Sequence, residues 1–216
     1  MKVRTPSGPL SLHGAYARSF VVRVHALLAD AYARLESSSL ALLQEPDITG
    51  RLVEKMREVI EDPKGPAWAG RFSVHDDKPV SGGARYGKNR PRIDIEVERT
   101  MRGAHPRFQF EAKRLHRSDS VAEYVGSEGL GAFLDGTYGS GHETVGMLAY
   151  VQADTPMDWV VKIEGKLKGE RASHGLAKRG PVWESVSFHA ELTSRRSTHT
   201  ICEGAVVVIH TFLGCC

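Results

Sequence analysis

The segment from residue 91 to residue 115, PRIDIEVERTMRGAHPRFQFEAKRL, constrains the fold more than any other stretch of the chain. Apolar and polar residues alternate in it twice, and a turn-like segment separates the two runs. Strict alternation is typical of β-strands, because successive side chains of a strand point to opposite faces of the sheet. We therefore predict two strands joined by a turn, each with one face directed to a core. The apolar positions are Ile93, Ile95, Val97, Phe108, Phe110 and Ala112.

The other faces of these strands carry acidic residues. Asp94 lies on the first strand, and Glu111 and Lys113 share one face of the second. Because neighbouring strands are about 5 Å apart, we expect two carboxylates and an amine in one small volume. Facing carboxylates repel each other unless a cation lies between them, and Mg²⁺ binds one or two carboxylates together with waters and phosphate oxygens. The pattern predicts a magnesium site that stabilises charge on a phosphate, with a solvated strand face as the alternative.

The order of Asp94 and then Glu111-Ala112-Lys113 resembles the D…(D/E)-x-K signature of the PD-(D/E)XK nuclease superfamily. Ile93 stands where that family usually has a proline. The resemblance covers approximately residues 47–168. It implies an α/β, restriction-endonuclease-like fold, in which helices flank a mixed central sheet. It also implies metal-dependent cleavage of phosphodiester bonds, with Mg²⁺ or Mn²⁺ as the cofactor and DNA as the expected substrate.

The resemblance further implies roles for individual residues. Asp94 and Glu111 would bind the metal, together with the carbonyl of Ala112. Lys113 would position or activate the attacking water. Glu54, in a segment ITGRLVEKM that resembles the helix before the core sheet, would assist through a metal-bound water. A solvated stripe of glutamates on that helix is the alternative for Glu54.

Positive charge is concentrated around the predicted site. Between residues 85 and 117 there are ten Lys and Arg but four Asp and Glu, whereas the net charge of the whole chain is only +3. Phosphates are bound mainly by Lys and Arg, so we expect nucleic acid to contact this region. An ordinary basic surface is the alternative. The candidate contacts are Arg85, Lys88, Arg90, Arg114 and Arg117.

Three elements are predicted ahead of this hairpin. Apolar residues recur every three or four positions from residue 15 to residue 36, which predicts an N-terminal helix for packing or dimerisation. A second helix is predicted over residues 49–61, with Asp47 or Thr49 as its N-cap. A strand over residues 71–80 then leads towards the hairpin.

The segment after the hairpin predicts a crossover and a buried strand. Two short helices are expected, one from Val121 and one around residues 130–135. The apolar run over residues 144–152 predicts a central strand parallel to the preceding one, because a helical crossover returns the chain in the same direction. Gln152 ends this strand and is a further candidate for the site. A helix starting near Pro156 follows.

The C-terminal region predicts two late strands, over residues 182–193 and 202–212, with a basic turn over residues 194–199 between them. The strands alternate apolar and polar residues, whereas the turn is polar throughout. Three histidines in this region could gather at a zinc site, although no close pairing such as H-x-x-x-H supports one. They are His189, His199 and His210.

Composition limits the remaining possibilities. The hydrophobic fraction of 41% indicates a globular core, and we divide the chain into an N-terminal arm and helix (1–46) and a nuclease-like domain (47–216) within one globular unit. The absence of a long apolar run or a signal-like N-terminus predicts a cytoplasmic protein without a membrane partner. A homo-oligomer and a partner subunit that supplies specificity both stay open. The alternative function is a non-catalytic nucleic-acid-binding or assembly protein with a nuclease-like fold.

Overall fold

A computed structural model describes residues 12–80, 90–100, 106–139, 141–202 and 204–216, with side chains from residue 17 onward. The α-helices in these ranges are α1 Leu12–Ala33, α2 Glu45–Glu61, α3 Ser120–Val125, α4 Leu130–Leu134 and α5 Pro156–Gly169. Short 3₁₀ helices span Ser37–Leu40 and Ala69–Arg71. The strands are β1 Phe72–Pro79, β2 Arg92–Arg99, β3 Arg107–Leu115, β4 Thr144–Val151, β5 Glu184–Val186, β6 Thr193–Ile201 and β7 Gly204–Gly214.

The strands form one mixed sheet in the order β1-β2-β3-β4-β7-β6-β5. β1, β2 and β3 pair antiparallel, β4 runs parallel to both β3 and β7, and β6 and β5 complete the sheet antiparallel. The parallel pairing of β3 and β4 follows from the crossover through α3 and α4. The prediction of an α/β fold with helices around a mixed sheet is therefore confirmed.

Two hydrophobic clusters cover the two faces of the sheet. The first contains residues of α1 and α2, and the second contains residues of α3, α4 and α5. β4 contributes to both, since Leu148 lies in the first cluster and Met147 and Ala149 lie in the second. The continuous apolar run of β4 is thus explained by burial on both faces.

Helix α1 belongs to the first cluster rather than standing apart from the sheet. Val24, Leu27, Leu28 and Ala31 are completely buried there. Residues on both sides of the boundary at position 46 therefore share one core. Among the described helices, none combines the length and the hydropathy that are needed to cross a membrane.

Helix α2 begins one turn earlier than its apolar periodicity predicts. Its first residue is Glu45 and its N-cap is Gln44, which makes no side-chain capping bond, so neither Asp47 nor Thr49 is the cap. A proline in the first turn needs no hydrogen-bond partner for its nitrogen and already has a helical φ, which allows the early start. Thr49 lies inside the helix and bonds to the hydroxyl of Tyr150 at 2.9 Å.

The C-terminal prediction is partly wrong. The expected strand over residues 182–193 is reduced to β5, and the expected turn over residues 194–199 is part of β6. The buried positions of β6 include Ser194, Ser197 and His199, which satisfy their polar atoms by hydrogen bonds inside the protein. The apolar alternation that marks most strands is therefore missing from this one.

Candidate active site

The candidate site lies where β2 and β3 separate. Their paired residues run from Glu98 opposite Arg107 to Ile95 opposite Phe110. Asp94 and Glu111 are the next residues on the two strands. Beyond this point the amide of Ala112 donates to Oδ2 of Asp94, with an N···O distance of 2.7 Å. The N–H and C=O of one strand residue point to the same neighbouring strand, so the carbonyl of Ala112 faces this opening as well.

The neighbouring strand β1 is also irregular at this level. Asp77 lies between Asp76, which is paired with Ile95, and Lys78, which is paired with Ile93. Its φ is 46°, in the left-handed region that few non-glycine residues adopt. The alternation of β2 breaks at the same level, because Ile93 lies in the second cluster and Ile95 in the first.

Lys113 connects a carboxylate on the sheet with one on helix α2. Its Nζ is 2.7 Å from Oε1 of Glu111 and 3.2 Å from Oε1 of Glu45. Oε2 of Glu45 accepts from the amide of Arg114 at 3.1 Å. The structure thus brings together the three residues selected from the sequence, Asp94, Glu111 and Lys113, and adds Glu45.

The structure does not bring Glu54 into this cluster. Glu54 is exposed, and it lies nine residues after Glu45 on α2, which is about 13 Å along the helix axis. The predicted helix start at residue 49 leaves Glu45 outside the helix. A signal for Glu45 does exist, since an acidic residue next to Pro46 is typical of a first helical turn.

The position of Glu45 depends on two side chains from distant parts of the chain. The carbonyl of Leu43 accepts from Nε2 of Gln152 at 2.9 Å and from the guanidinium of Arg114 at 3.2 Å. Gln152 also donates to the carbonyl of Leu40 at 2.8 Å. Gln152 is therefore a positioning residue, which holds the segment just before Glu45.

Burial dominates the electrostatics of the carboxyl groups. Glu111 is only 4% exposed, and burial together with the charge of Asp94 raises the pKa of Glu111 to about 8. Burial also raises the pKa of Asp94, although the Ala112 amide and Lys113 oppose this. Burial alone would lower the pKa of Lys113, but the charges of Glu111 and Glu45 raise it above its usual range.

These residues fit a cation that keeps part of its water shell. Oε2 of Glu111 is buried and has no hydrogen-bond partner among the residues that the structure describes, which is costly unless another group binds there. Mg²⁺ requires only one or two carboxylates and completes its shell with waters and phosphate oxygens. Among the described residues, no group of three or more His, Cys, Asp or Glu is placed to hold a metal ion. The donor set therefore suits an ion that is shared with water and substrate.

The basic residues predicted to contact nucleic acid have varied environments. Arg114 is half-buried and bonds to Leu43, while Arg117 is exposed and pairs with Asp119 and Glu123. Arg90 is half-buried just before β2. Arg85 and Lys88 lie outside the described residues. Contact of these five side chains with nucleic acid stays a prediction.

The three C-terminal histidines do not gather at one point. His199 and His210 both bond through Nε2 to the hydroxyl of Ser197, at 2.6 and 2.8 Å. His189 is half-buried and accepts from the amide of Glu191 instead. A hydroxyl therefore occupies the place between the two imidazoles.

The hydrogen bonds around Ser197 run in a single direction. The carbonyl of His174 can only accept, so Nδ1 of His199, 2.7 Å away, must donate. Burial lowers the pKa of His199 to about 4 and that of His210 well below its usual range, so each ring is neutral and has one proton. Ser197 then donates to His199 and accepts from His210, whose Nδ1 accepts from the hydroxyl of Tyr124 at 3.0 Å. This buried chain is fully satisfied within the protein.

Comparison of the chain with protein-family models, with curated proteins and with solved structures found no match.

Proposed function

We propose that this chain is a Mg²⁺-dependent nuclease of the PD-(D/E)XK type, with DNA as its substrate class. The observation that carries the proposal is the cluster of Asp94, Glu111 and Lys113 at the opening between β2 and β3. The order of elements supports it, since a helix, three antiparallel strands, a helical crossover, a parallel strand and a further helix follow one another as the resemblance implies.

Each residue of the site has a separate role in the proposed cleavage reaction. Asp94 and Glu111 would hold Mg²⁺ or Mn²⁺ together with the carbonyl of Ala112. When bound, the ion supplies a Lewis acid that neutralises charge on the scissile phosphate. Because its pKa is raised, Lys113 keeps its proton at neutral pH. Lys113 therefore orients the attacking water and balances negative charge, rather than removing a proton.

Glu45 supports the cluster from α2. Its ion pair with Lys113 fixes the ammonium group beside Glu111, and its bond to the Arg114 amide fixes the carboxylate itself. We propose that Glu45, rather than Glu54, is the acidic residue that α2 contributes to the site, and that it acts by positioning Lys113. Nucleic acid is the proposed partner, and a homo-oligomer or a specificity subunit stays a prediction.

Cleavage assays on supercoiled and linear DNA with Mg²⁺ test the proposal. Asp94→Asn, Glu111→Gln and Lys113→Ala should each lower the cleavage rate by about 100-fold or more, because each removes a group that acts on the reacting phosphate. Glu54→Gln makes the same chemical change as Glu111→Gln on an exposed helix face and should leave the rate unchanged. Undiminished cleavage by all three site variants would dispose of the assignment.

A second set of assays separates the alternative function. A non-catalytic nucleic-acid-binding protein would bind DNA with strongly salt-dependent affinity. It would cut neither DNA nor RNA with Mg²⁺ or Mn²⁺. That combination, obtained with the folded wild-type protein, would replace the nuclease proposal.

A further inference from the structure

The segment between α4 and β4 attaches to the same face of β3 that carries Glu111. The amide of Gly139 donates to Oε1 of Gln109 at 3.0 Å, and the amide of Tyr138 donates to the carbonyl of Ala132 at 2.9 Å. Gln109 precedes Glu111 by two residues on β3, so their side chains share a face and are about 7 Å apart along the strand. Tyr138 is adjacent to Gly139 and therefore lies in a segment bonded to the residue two positions before Glu111 on β3.

Gln109 holds this segment in one orientation. Its Nε2 donates to Oε2 of Glu96 at 2.8 Å, and Glu96 is its cross-strand partner on β2 and only 3% exposed. Its Oε1 accepts from Gly139. A carboxylate can only accept and an amide N–H can only donate, so the side-chain amide of Gln109 cannot be reversed. The connection between β3 and this segment is thus rigidly defined.

At Gly139 the backbone of this segment packs closely against side chains of the second cluster. Gly139 has a φ of 69°, and a Cβ atom there would lie 2.9 Å from Val145 and 3.0 Å from Phe133. The ring of Tyr138 contacts the same Phe133 edge-on, with centroids 5.9 Å apart. The half-buried ring of Tyr138 is therefore held in place from the cluster side.

The hydroxyl of Tyr138 lies in the electric field of the site. Burial, together with the charges of Glu111 and Asp94, raises the pKa of Tyr138 to about 12, although Lys113 opposes this. The hydroxyl consequently keeps its proton and is a donor at neutral pH. In the part of the chain that the structure describes, no hydrogen-bond partner for this hydroxyl is found.

We propose that Tyr138 is a further substrate-contacting residue, whose hydroxyl donates a hydrogen bond to a non-bridging phosphate oxygen at the Asp94–Glu111 site. The proposal rests on the proposed nuclease function. A neutral donor suits this place, because it binds an anionic oxygen without adding charge to two neighbouring carboxylates. It also does not compete with them for a cation, as a third carboxylate would.

Tyr138→Phe tests the contact, because it removes only the hydroxyl and keeps the ring against Phe133. We expect kcat/KM for DNA cleavage to fall about tenfold, since a hydrogen bond to a charged oxygen is lost. The melting temperature should stay unchanged. Tyr32→Phe is the matched control, because it removes a hydroxyl that bonds to the carbonyl of Gly214 on β7, a strand separated from β3 by β4. Wild-type kcat/KM in Tyr138→Phe would overturn the inference.

A binding measurement keeps this inference separate from the nuclease proposal. Tyrosines labelled with ¹³C at Cζ are observed by NMR while thymidine 5′-monophosphate is added with Mg²⁺, and the Tyr138 signal is identified by its loss in Tyr138→Phe. We expect this signal to shift in the wild type but not in Asp94→Asn/Glu111→Gln. A signal that does not move overturns the inference even if the wild type cuts DNA. A shift without any cleavage would support the phosphate contact while the nuclease proposal fails.

Discussion

Glu111 has a buried carboxyl group, one oxygen of which has no hydrogen-bond partner in the described part of the chain, so its protonation affects stability. Its pKa is raised from 4.5 to about 8, so between these values the folded state holds a proton that the unfolded state has released. The free energy of unfolding must therefore fall as the pH rises through this window. A site that destabilises its own fold is common where function requires charge burial.

Glu111→Gln should remove this pH dependence, because glutamine does not titrate. At pH 8 we expect the variant to be more stable than the wild type by about 1 kcal/mol or more, which is ~2–4 °C in melting temperature for a chain of this size. At pH 5 the difference should be smaller. Thermal unfolding followed by circular dichroism at both pH values measures this. The same pH slope in both proteins would contradict the assignment of the proton to Glu111.

Ser197 is the central member of the buried chain between His199 and His210. Ser197→Ala leaves one imidazole nitrogen without a donor and the other without an acceptor, in a region that water does not reach. We expect the free energy of unfolding to fall by ~2–3 kcal/mol at pH 7, as measured by urea denaturation. Thr198→Ala, at the exposed neighbouring position, is the control and should change little. A neutral effect of Ser197→Ala would show that the chain of bonds is not formed.

Two of the four glutamates of helix α2 can be compared by the same substitution. Glu45 pairs with Lys113 at the start of the helix, whereas Glu54 is exposed further along it. Glu45→Gln should lower DNA cleavage about tenfold or more, because it releases the ammonium group from its position. Glu54→Gln should not. If Glu54→Gln lowered the rate of DNA cleavage as much as Glu45→Gln, or more, the choice of Glu45 in place of Glu54 would be wrong.

Some elements can be predicted from their own sequence, whereas others depend on contacts with residues that are distant in the chain. Alternation in β3 and in most of β2 depends only on local side-chain direction, so the closeness of Asp94 and Glu111 is predictable. The expectation that Ile93 shares a face with Ile95 is wrong, because the two residues lie in different clusters. The position of Glu45 is not predictable, because it depends on contacts of Leu43 with residues 71 and 109 positions away. β6 cannot be predicted from its sequence pattern, because its inward side chains are polar and find their hydrogen-bond partners only in the folded protein.

At the scale of the whole molecule, α1 closes the first hydrophobic cluster against α2 and the sheet. Leu27 is completely buried in it, whereas Val22 on the same helix is 40% exposed. Leu27→Ala should lower the free energy of unfolding by ~2–5 kcal/mol, because it leaves a cavity in the core. Val22→Ala should stay within about 0.5 kcal/mol of the wild type. Urea denaturation measures both free energies of unfolding. If Leu27→Ala changed this free energy as little as Val22→Ala, α1 would not be part of the hydrophobic core.

The placement of β7 between β4 and β6 has a consequence for how the protein is made. During synthesis β4 leaves the ribosome before β7. Until β7 is made, the N–H and C=O groups along one edge of β4 are unpaired and can pair with a strand of another chain. At ordinary elongation rates this interval lasts roughly 3–13 s. Nascent chains stalled between the two strands should therefore depend on chaperones, and adding residues 204–214 should end that dependence.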